Sequence, residues 1–328
     1  TPLAEYKVQN RGGKGSRGGS SRDEDFIEHL YMATNHNYLL FFTEKGKCFW
    51  LRVFEIPEGV KTSKGRAIQN ILQIEEDDKI ASIINLTSVT DPDYIDNHYV
   101  VLCTEKGIIK KTTIGAYSHP RKKGIIAINV REGDRLIAAR FTDGNSDMML
   151  ALHSGRAIRF KENEEMRAMG RTASGVKGVT LAGPDDKIVG VLCVDNPESH
   201  ILIVSEAGFG KRSLLEDYRI THRGGKGVST IKITEKTGKL IAMKCVTDED
   251  DLMIINRSGI AIRLHVDELR ILGRNTQGVK LIDLRKNDII AAVCVVPRQD
   301  DEEEEGEVGE VVEGEELNNE VAEESAEN

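Results

Sequence analysis

Several features of common protein classes are missing from this sequence. No run of about 18 apolar residues occurs, which argues against a membrane-spanning helix, and the first residues lack the apolar core of a secretory signal. Aromatic residues make up only 5% of the 328 residues. They do not interleave with the basic segments, which argues against a surface that stacks single-stranded bases. The chain starts at Thr1 rather than at methionine, so we expect a fragment of a longer protein.

Cysteine is scarce, and its five positions form no ligand pattern. No C-x-x-C pair occurs, and no histidine lies at metal-ligand spacing, so no metal site is predicted. Each cysteine lies in or beside an apolar run, and we therefore expect five buried core residues in a reducing, cytosolic compartment. The five positions are Cys48, Cys103, Cys193, Cys245 and Cys294.

The net charge of −9 comes from one end of the chain. Residues 300–328 contain fifteen Asp and Glu and no Lys or Arg, which leaves 39 acidic against 45 basic residues elsewhere. A low-complexity acidic stretch buries too little apolar surface to fold, so residues 299–328 are predicted to be a disordered tail after a folded domain of residues 1–298. Two roles stay open for this tail: it improves solubility, or it competes with a polyanionic ligand, such as a nucleic acid, for basic surfaces in the rest of the chain.

An internal repeat of about fifty residues dominates the rest of the chain. Five units open with an apolar strand, a turn and a second strand, which predicts a β-hairpin in each. We call this the opening hairpin. Its turn glycines are Gly46, Gly107, Gly155, Gly208 and Gly259.

A second glycine recurs in each unit, followed in most units by a short apolar-alternating stretch and then by a closing strand such as DKIVGVLCV. Four short strands per unit predict an all-β, propeller-like protein with four-stranded blades. Six second glycines but only five opening hairpins predict six blades, the first of which is incomplete. The second glycines are Gly15, Gly65, Gly124, Gly175, Gly227 and Gly278.

Basic residues cluster before or around every second glycine, in segments that we call the basic loops. In a radial fold, equivalent positions lie on one rim, so these loops predict a positively charged track suited to the phosphates of duplex DNA. The candidate residues are Arg11, Lys14, Arg17, Lys61, Lys64, Arg66, Arg121, Lys122, Lys123, Arg171, Lys177, Arg223, Lys226, Arg274 and Lys280. Arg22, Arg167 and Arg270 lie in the same loops.

A second periodic set of basic residues follows the hairpin turns. In four of the five units a basic residue lies four positions after the turn glycine, and we predict that these side chains also contribute to the DNA-binding rim. They are Lys111, Arg159, Arg212 and Arg263.

The densest basic segment is Gln9-Asn10-Arg11-Gly12-Gly13-Lys14-Gly15, and a variant of it recurs at residues 222–227. Glycine pairs let the backbone approach a phosphate closely, while Arg and Lys supply charge. The heptapeptide resembles the gyrase A box of DNA gyrase A subunits, although Asn10 replaces a basic residue that is usual there. The flanking PLAEY and EDFIEHLYMAT are similar to that family too.

The resemblance implies a six-bladed β-pinwheel, in which neighbouring blades exchange strands, and which wraps duplex DNA with a fixed hand. The holoenzyme, an A2B2 complex of gyrase A and gyrase B chains, would then introduce negative supercoils by ATP-dependent strand passage. The resemblance also implies that the catalytic tyrosine and the ATP and magnesium sites belong to other parts of the enzyme. For this chain we therefore expect no cofactor, no small-molecule substrate and no membrane. We expect a cytoplasmic, nucleoid-associated location.

Three alternatives remain open at this point. The C-terminal domain of the topoisomerase IV A subunit is a related DNA-binding domain that lacks the strong chiral wrap. A propeller-type protein-interaction module would have uncharged or mixed loops rather than basic ones. A propeller enzyme would need acidic or histidine residues converging on a central channel, and no repeat position supplies them.

Overall fold

The computed structural model describes residues 31, 33–59, 63, 65–89, 91–119, 121–285 and 288–298, together with the backbone of residues 16–17. One compact unit extends to Arg298. The predicted acidic tail, 299–328, lies outside the described residues. No helix in the described part of the chain has the length and apolar character needed to cross a membrane.

The described residues form twenty strands and two short helices. The strands are β1 (Ser16–Arg17), β2 (Tyr38–Thr43), β3 (Lys47–Arg52), β4 (Ile80–Leu86), β5 (Tyr99–Thr104), β6 (Ile108–Thr113), β7 (Ile125–Ile126), β8 (Leu136–Thr142), β9 (Asp147–Leu152), β10 (Arg156–Lys161), β11 (Val176–Lys177), β12 (Ile188–Val194), β13 (His200–Ser205), β14 (Phe209–Leu214), β15 (Val228–Ser229), β16 (Leu240–Val246), β17 (Asp250–Asn256), β18 (Ile260–His265), β19 (Val279–Lys280) and β20 (Ile290–Pro297). The helices are α1 (Pro92–Asn97) and α2 (Glu162–Glu165).

These strands pair into five four-stranded antiparallel sheets within the described residues. Each sheet runs from a closing strand through the opening hairpin to a short strand at the opposite edge, which we call the outer strand. The orders are β4-β2-β3-β7, β8-β5-β6-β11, β12-β9-β10-β15, β16-β13-β14-β19 and β20-β17-β18-β1. The predicted all-β, propeller-like architecture is confirmed.

The sequence explains why each hairpin forms where it does. The turn glycine adopts a positive φ, for example 82° at Gly107, which costs glycine little and other residues much. The first hairpin strands are nearly continuous apolar runs, and β9 is buried at all six positions. Burial on both faces is expected because neighbouring sheets cover each hairpin on either side.

Each outer strand comes from the unit after the hairpin with which it pairs. Val176 of β11, for example, pairs with Ile109 of β6, although the two residues belong to successive units. In the last sheet this place is taken by β1, near the start of the chain, where Ser16 pairs with Ala261. The exchange of strands that the resemblance implied is therefore present.

The number of sheets corrects the prediction of six blades. Six second glycines were counted, but a sheet needs an opening hairpin, and the described residues contain five. The outer strands after Gly124, Gly175, Gly227 and Gly278 join the first four hairpins, and the strand after Gly15 joins the fifth. No hairpin among the described residues is left to receive the stretch after Gly65, and that stretch forms no strand.

The second glycine is required by a close approach between the exchanged strand and its host. Gly175 has a φ of 91°, and a Cβ atom built there would lie 2.5 Å from the carbonyl oxygen of Ile109. Gly278 has the same conflict with the carbonyl oxygen of Gly210, also at 2.5 Å. Any side chain at these positions would push the outer strand off the hairpin, so the recurrence of glycine follows from packing.

Apolar clusters between successive sheets hold the domain together. The cluster between the first two sheets includes Phe42, Leu86 and Tyr117, and equivalent clusters separate the later sheets. Side chains of this size each contribute roughly 1.5–3 kcal/mol on full burial.

The five cysteines lie in two different environments, the core and partly buried positions. Cys48 and Cys103 are buried, as predicted, but Cys193, Cys245 and Cys294 are only partly buried. The prediction of five core cysteines is therefore wrong for these last three. Their closing strands lie at the inner edge of the sheets, and Cys245 and Cys294 line a cavity there.

Candidate nucleic-acid interface

Apart from the loop around Gly65, the basic loops lead into the outer strands, and the sheet order places these strands at the perimeter. Closing strands of all five sheets line one common cavity, so that edge of each sheet faces the axis of the domain. The outer strands occupy the opposite edge. The second glycine and the loop before it therefore lie on the outside of each blade.

Seven of the predicted DNA-contacting side chains are exposed in these loops and outer strands. Among the described residues only Lys280 of this group has an ion-pair partner, the exposed Asp283. Exposed cations without a neighbouring carboxylate are available to phosphate oxygens. This exposed set consists of Arg66, Arg121, Lys122, Lys123, Lys177, Lys226 and Lys280.

Three arginines of the basic loops form hydrogen bonds within the domain, a role that the sequence analysis did not distinguish from DNA contact. Each lies four residues before a second glycine, is partly buried, and donates to a carbonyl of the preceding outer strand. Arg171 donates to Ile126 at 3.0 Å, Arg223 to Lys177 at 3.1 Å and Arg274 to Ser229 at 2.8 Å. These bonds tie successive basic loops together along the perimeter.

Two buried lysines that the sequence analysis did not single out donate hydrogen bonds to the basic loops from the interior of the domain. Lys110 Nζ donates to the carbonyls of Ala127, Gly170 (3.1 Å) and Arg171 (2.5 Å). Lys211 Nζ donates to Gly273 and Arg274, both at 2.5 Å, and to the hydroxyl of Thr276.

Burial lowers the pKa of each of these two lysines to about 8. The detectable signal in the sequence was a lysine three residues after a turn glycine, in the second strand of the opening hairpin.

The basic residues four positions after the turn glycines are not part of the exposed surface. Their side chains are between 2% and 12% exposed, and each one pairs with a carboxylate. The structure therefore removes Lys111, Arg159, Arg212 and Arg263 from the predicted rim. We call these four the buried set.

Three of the four members of the buried set link a blade to its neighbour, whereas Arg263 pairs with Asp251 of its own hairpin. Lys111 Nζ lies 2.9 Å from the fully buried carboxylate of Glu162, in the next unit. Arg159 binds Asp147 and also donates to the carbonyls of Leu215 (2.8 Å) and Tyr218 (3.1 Å). A cation in the second hairpin strand thus satisfies backbone groups where the following blade begins its basic loop.

Arg219 is an exposed cation that the sequence analysis missed. With Arg223 and Gly227 it forms the spacing R-x3-R-x3-G, which recurs at Arg167, Arg171 and Gly175 and again at Arg270, Arg274 and Gly278. The first arginine of each trio is exposed, while the second is the partly buried one described above. Aligning the units on the second glycine, rather than on the turn glycine, would have found it.

One histidine adds conditional charge to the perimeter. The Nδ1 atom of His222 lies 2.6 Å from Glu165 Oε1, and its side chain is 96% exposed. The Glu165 carboxylate raises the pKa of His222, and the histidine in turn holds the pKa of Glu165 below its usual range. This part of the perimeter is therefore more positive at acidic than at alkaline pH.

Part of the predicted site cannot be placed. The gyrase A box (residues 9–15), Lys61 and Lys64 lie outside the described residues, and of Arg17 only the backbone in β1 is described. Their roles in DNA binding stay predictions. Within the described part of the chain, no group of three or more His, Cys, Asp or Glu could hold a metal ion.

The fold and the perimeter define a class: a propeller-like β domain with strand exchange and repeated cations along its outer edge. The family described as "DNA gyrase C-terminal domain, beta-propeller" matches residues 1–33, 37–86, 98–143, 153–195, 199–247 and 250–297. The chain belongs to this family. The matched segments follow the repeat units, including a partial first unit before the first opening hairpin.

Curated relatives agree with the family. The DNA gyrase A subunit of Staphylococcus epidermidis is 39% identical over 301 residues, which cover 92% of this chain and 33% of the relative. The DNA gyrase A subunit of Salmonella typhimurium is 38% identical over 316 residues, or 96% of this chain and 35% of the relative. The chain spans about a third of the length of the curated relatives it matches.

Solved structures share the fold. A DNA gyrase A C-terminal domain superposes with a TM-score of 0.78 at 26% identity, covering 89% of this chain and 94% of the other. The C-terminal domain of a DNA topoisomerase IV gives a TM-score of 0.69, also at 26% identity, with 80% of each chain covered. Family membership and these matches together favour a DNA-binding role in a topoisomerase.

Proposed function

We propose that this chain binds duplex DNA along its perimeter and wraps it with a fixed hand. The observation that carries the proposal is the exposed set, which recurs at the outer edge of successive blades and, among the described residues, has no carboxylate partner apart from the exposed Asp283. Bending a short duplex by tens of degrees costs on the order of 1–6 kcal/mol. Phosphate contacts to several blades offset that cost, because each releases counterions.

The contacts are to the backbone of DNA rather than to its bases. The described perimeter consists of short strands and loops, and no helix longer than six residues is present in the described part of the chain to enter a major groove. Low sequence specificity and strong salt dependence follow. The gyrase A box and Arg17 extend the same surface in this proposal.

The proposed role in DNA supercoiling rests on membership of the gyrase family. In the A2B2 holoenzyme, formed with gyrase B chains, the wrapped segment would be presented for ATP-dependent strand passage, which introduces negative supercoils. Catalysis, ATP and magnesium then belong to other parts of that enzyme, and the setting is the bacterial cytoplasm and nucleoid.

Chiral wrapping is tested by its effect on DNA topology. The chain is incubated with relaxed circular plasmid and a nicking-closing topoisomerase, and linking numbers are resolved on gels. A dose-dependent shift to positive topoisomers is expected. The variant Arg121→Gln/Lys122→Gln/Lys123→Gln should reduce the shift, whereas the control Lys239→Gln, at an exposed lysine outside the basic loops, should not.

A second candidate function comes from the topoisomerase IV structure. A related domain that binds DNA without a strong chiral wrap would bind the plasmid and leave its linking number unchanged. That outcome would favour this second function. Absence of DNA binding at low salt would contradict both functions and would favour a protein partner.

A further inference from the structure

A cavity of about 550 Å³ lies at the axis of the domain. It is lined by closing strands from all five sheets and by Tyr31. Its volume falls within the range of roughly 300–1,000 Å³ that is typical of small-molecule sites. A DNA duplex is too wide to enter it, so this cavity is separate from the proposed DNA surface.

The charge of the cavity wall has one sign. Arg140, from β8, and Lys244, from β16, are its charged lining residues, and no Asp or Glu belongs to the described lining. Arg140 uses two of its five N–H groups on backbone carbonyls, donating to Ala139 and Val191 at 2.8 Å each. Lys244 has no hydrogen bond or ion pair with the described residues.

Two cations that share an enclosed space without a counter-charge are costly. Burial, together with the weaker repulsion from the Arg140 guanidinium, lowers the pKa of Lys244 to about 8. An anion in the cavity would oppose both causes, because it would pair with the ammonium and offset the guanidinium. Lys244 would then take up a proton when the anion binds near pH 8.

The remaining lining indicates the kind of anion. Ile137, Val189 and Ile241 contribute apolar wall, and Ser82 and Tyr31 contribute hydroxyl groups. The Tyr31 hydroxyl accepts a hydrogen bond from the Ile83 amide at 3.2 Å. Arg with its planar fork and Lys as a point charge together suit a phosphoryl group with more than one negative charge.

We propose that the axial cavity is a binding site for a small phosphate-bearing anion, with Arg140 and Lys244 as its anion-binding pair. The exposed set of the perimeter is not involved. The ligand adds a bridge between β8 and β16, so its binding stabilises the folded domain by mass action.

The test uses inorganic pyrophosphate as the probe and the full chain as the protein. Isothermal calorimetry at pH 8, in two buffers of different ionisation enthalpy, measures affinity and proton uptake together. Wild type is expected to bind with proton uptake. Lys244→Met should weaken binding by at least about tenfold, the loss of roughly one charge-assisted contact, and should abolish the proton uptake.

Two control variants separate the cavity from other anion sites. Lys239→Met, which removes an exposed lysine five residues earlier, should bind pyrophosphate like wild type. Arg121→Gln/Lys122→Gln/Lys123→Gln should do the same, although it weakens DNA binding. Lys244→Met removes a cation without a partner among the described residues, so it is expected to fold; Lys244→Gln replaces it if unfolding curves show otherwise.

Three results would overturn the proposal. Absence of binding to wild type would mean that a carboxylate from the undescribed part of the chain already neutralises the cavity. Equal binding and proton uptake by wild type and Lys244→Met would move the anion site to the perimeter. Binding that appears only after residues 300–328 are deleted would assign the two cations to the acidic tail.

Discussion

The buried set and the exposed set contain the same residue types and both recur along the repeat, yet they have opposite environments. Lys111 and Arg263 are enclosed and paired with the fully buried Glu162 and Asp251. Lys122 and Lys226 are open to solvent without a carboxylate partner among the described residues. Periodic charge in a repeat protein therefore indicates a repeated environment, and only position within the blade shows whether that environment is an exposed binding surface or a buried ion pair.

The largest expected effect is the loss of stability when an ion pair of the buried set is disrupted. Glu162→Ala leaves Lys111 enclosed and unpaired, and removal of one partner of a buried ion pair costs about 3–5 kcal/mol. Urea unfolding followed by circular dichroism measures this loss. Glu164→Ala, at an exposed neighbour in α2, serves as the matched control and should change stability little. A loss below about 1 kcal/mol, the range of exposed pairs, would mean that the pair is not enclosed.

The second effect concerns the exposed set. Arg121→Gln/Lys122→Gln/Lys123→Gln should leave stability within about 0.5 kcal/mol, as expected for surface changes. It should weaken duplex binding and lower the slope of log K against log salt by about 0.9 for each phosphate that is no longer neutralised. Fluorescence anisotropy over a salt series measures both quantities. An unchanged slope would show that these three side chains do not contact phosphates.

The third effect concerns the two lysines beneath the loops. Their folded-state pKa, about 8, lies below the ordinary 10.5, so the unfolded chain binds more protons between these values. The free energy of unfolding should therefore rise with pH in that window, by at most about 1.4 kcal/mol per pH unit for each lysine.

Lys110→Met should remove its share of this slope, whereas the exposed Lys106→Met should not. Unfolding curves at pH 7.5, 8.5 and 9.5, values chosen to start below the window and extend into it, would show this. A flat profile for wild type would mean that the ammonium groups keep ordinary pKa values.

The smallest effect concerns His222. Because Glu165 raises its pKa, the stabilisation from this pair is present below the ordinary value of 6.5 and is lost as pH rises through the raised value. DNA affinity should fall modestly over the same range, since the perimeter loses one charge. An NMR titration of the imidazole should show the pKa moving down in Glu165→Gln. If the titration is identical in that variant, the two side chains do not interact in solution.

The sequence predicted the architecture well because hairpins and turn glycines are local signals. The spacing of Gly46, Gly107 and Gly155 and the apolar strands around them were enough to identify four-stranded blades. The number of blades was overestimated, because the second glycine marks a strand that joins another unit's hairpin. Strand exchange leaves no local trace in the sequence, since a two-residue outer strand reads the same whichever hairpin it meets.

The candidate site was predicted in part for a similar reason. Arg121 to Lys123 lie in a loop without apolar neighbours, so their exposure could be read directly. Arg263 lies between Ile262 and Leu264, and this apolar context is a sequence signal for burial, whereas Arg212 lies between Lys211 and Ser213 and carries no such signal. Nothing in the sequence could reveal that Glu162 reaches across to Lys111 from the next blade, because that pairing depends on how the sheets stack.

The exchange of outer strands has a consequence for how such a domain can change in length. Each blade borrows a strand from the following unit, and β1 completes the last sheet, so no repeat unit is self-sufficient. Deleting one unit would remove a hairpin together with the strand that completes its neighbour. Blades can therefore be inserted or lost only as whole repeat units, with the boundaries of the inserted or deleted segment at the hairpin. A segment with other boundaries would leave a hairpin without its outer strand, and the unpaired strand edge would be exposed to other chains.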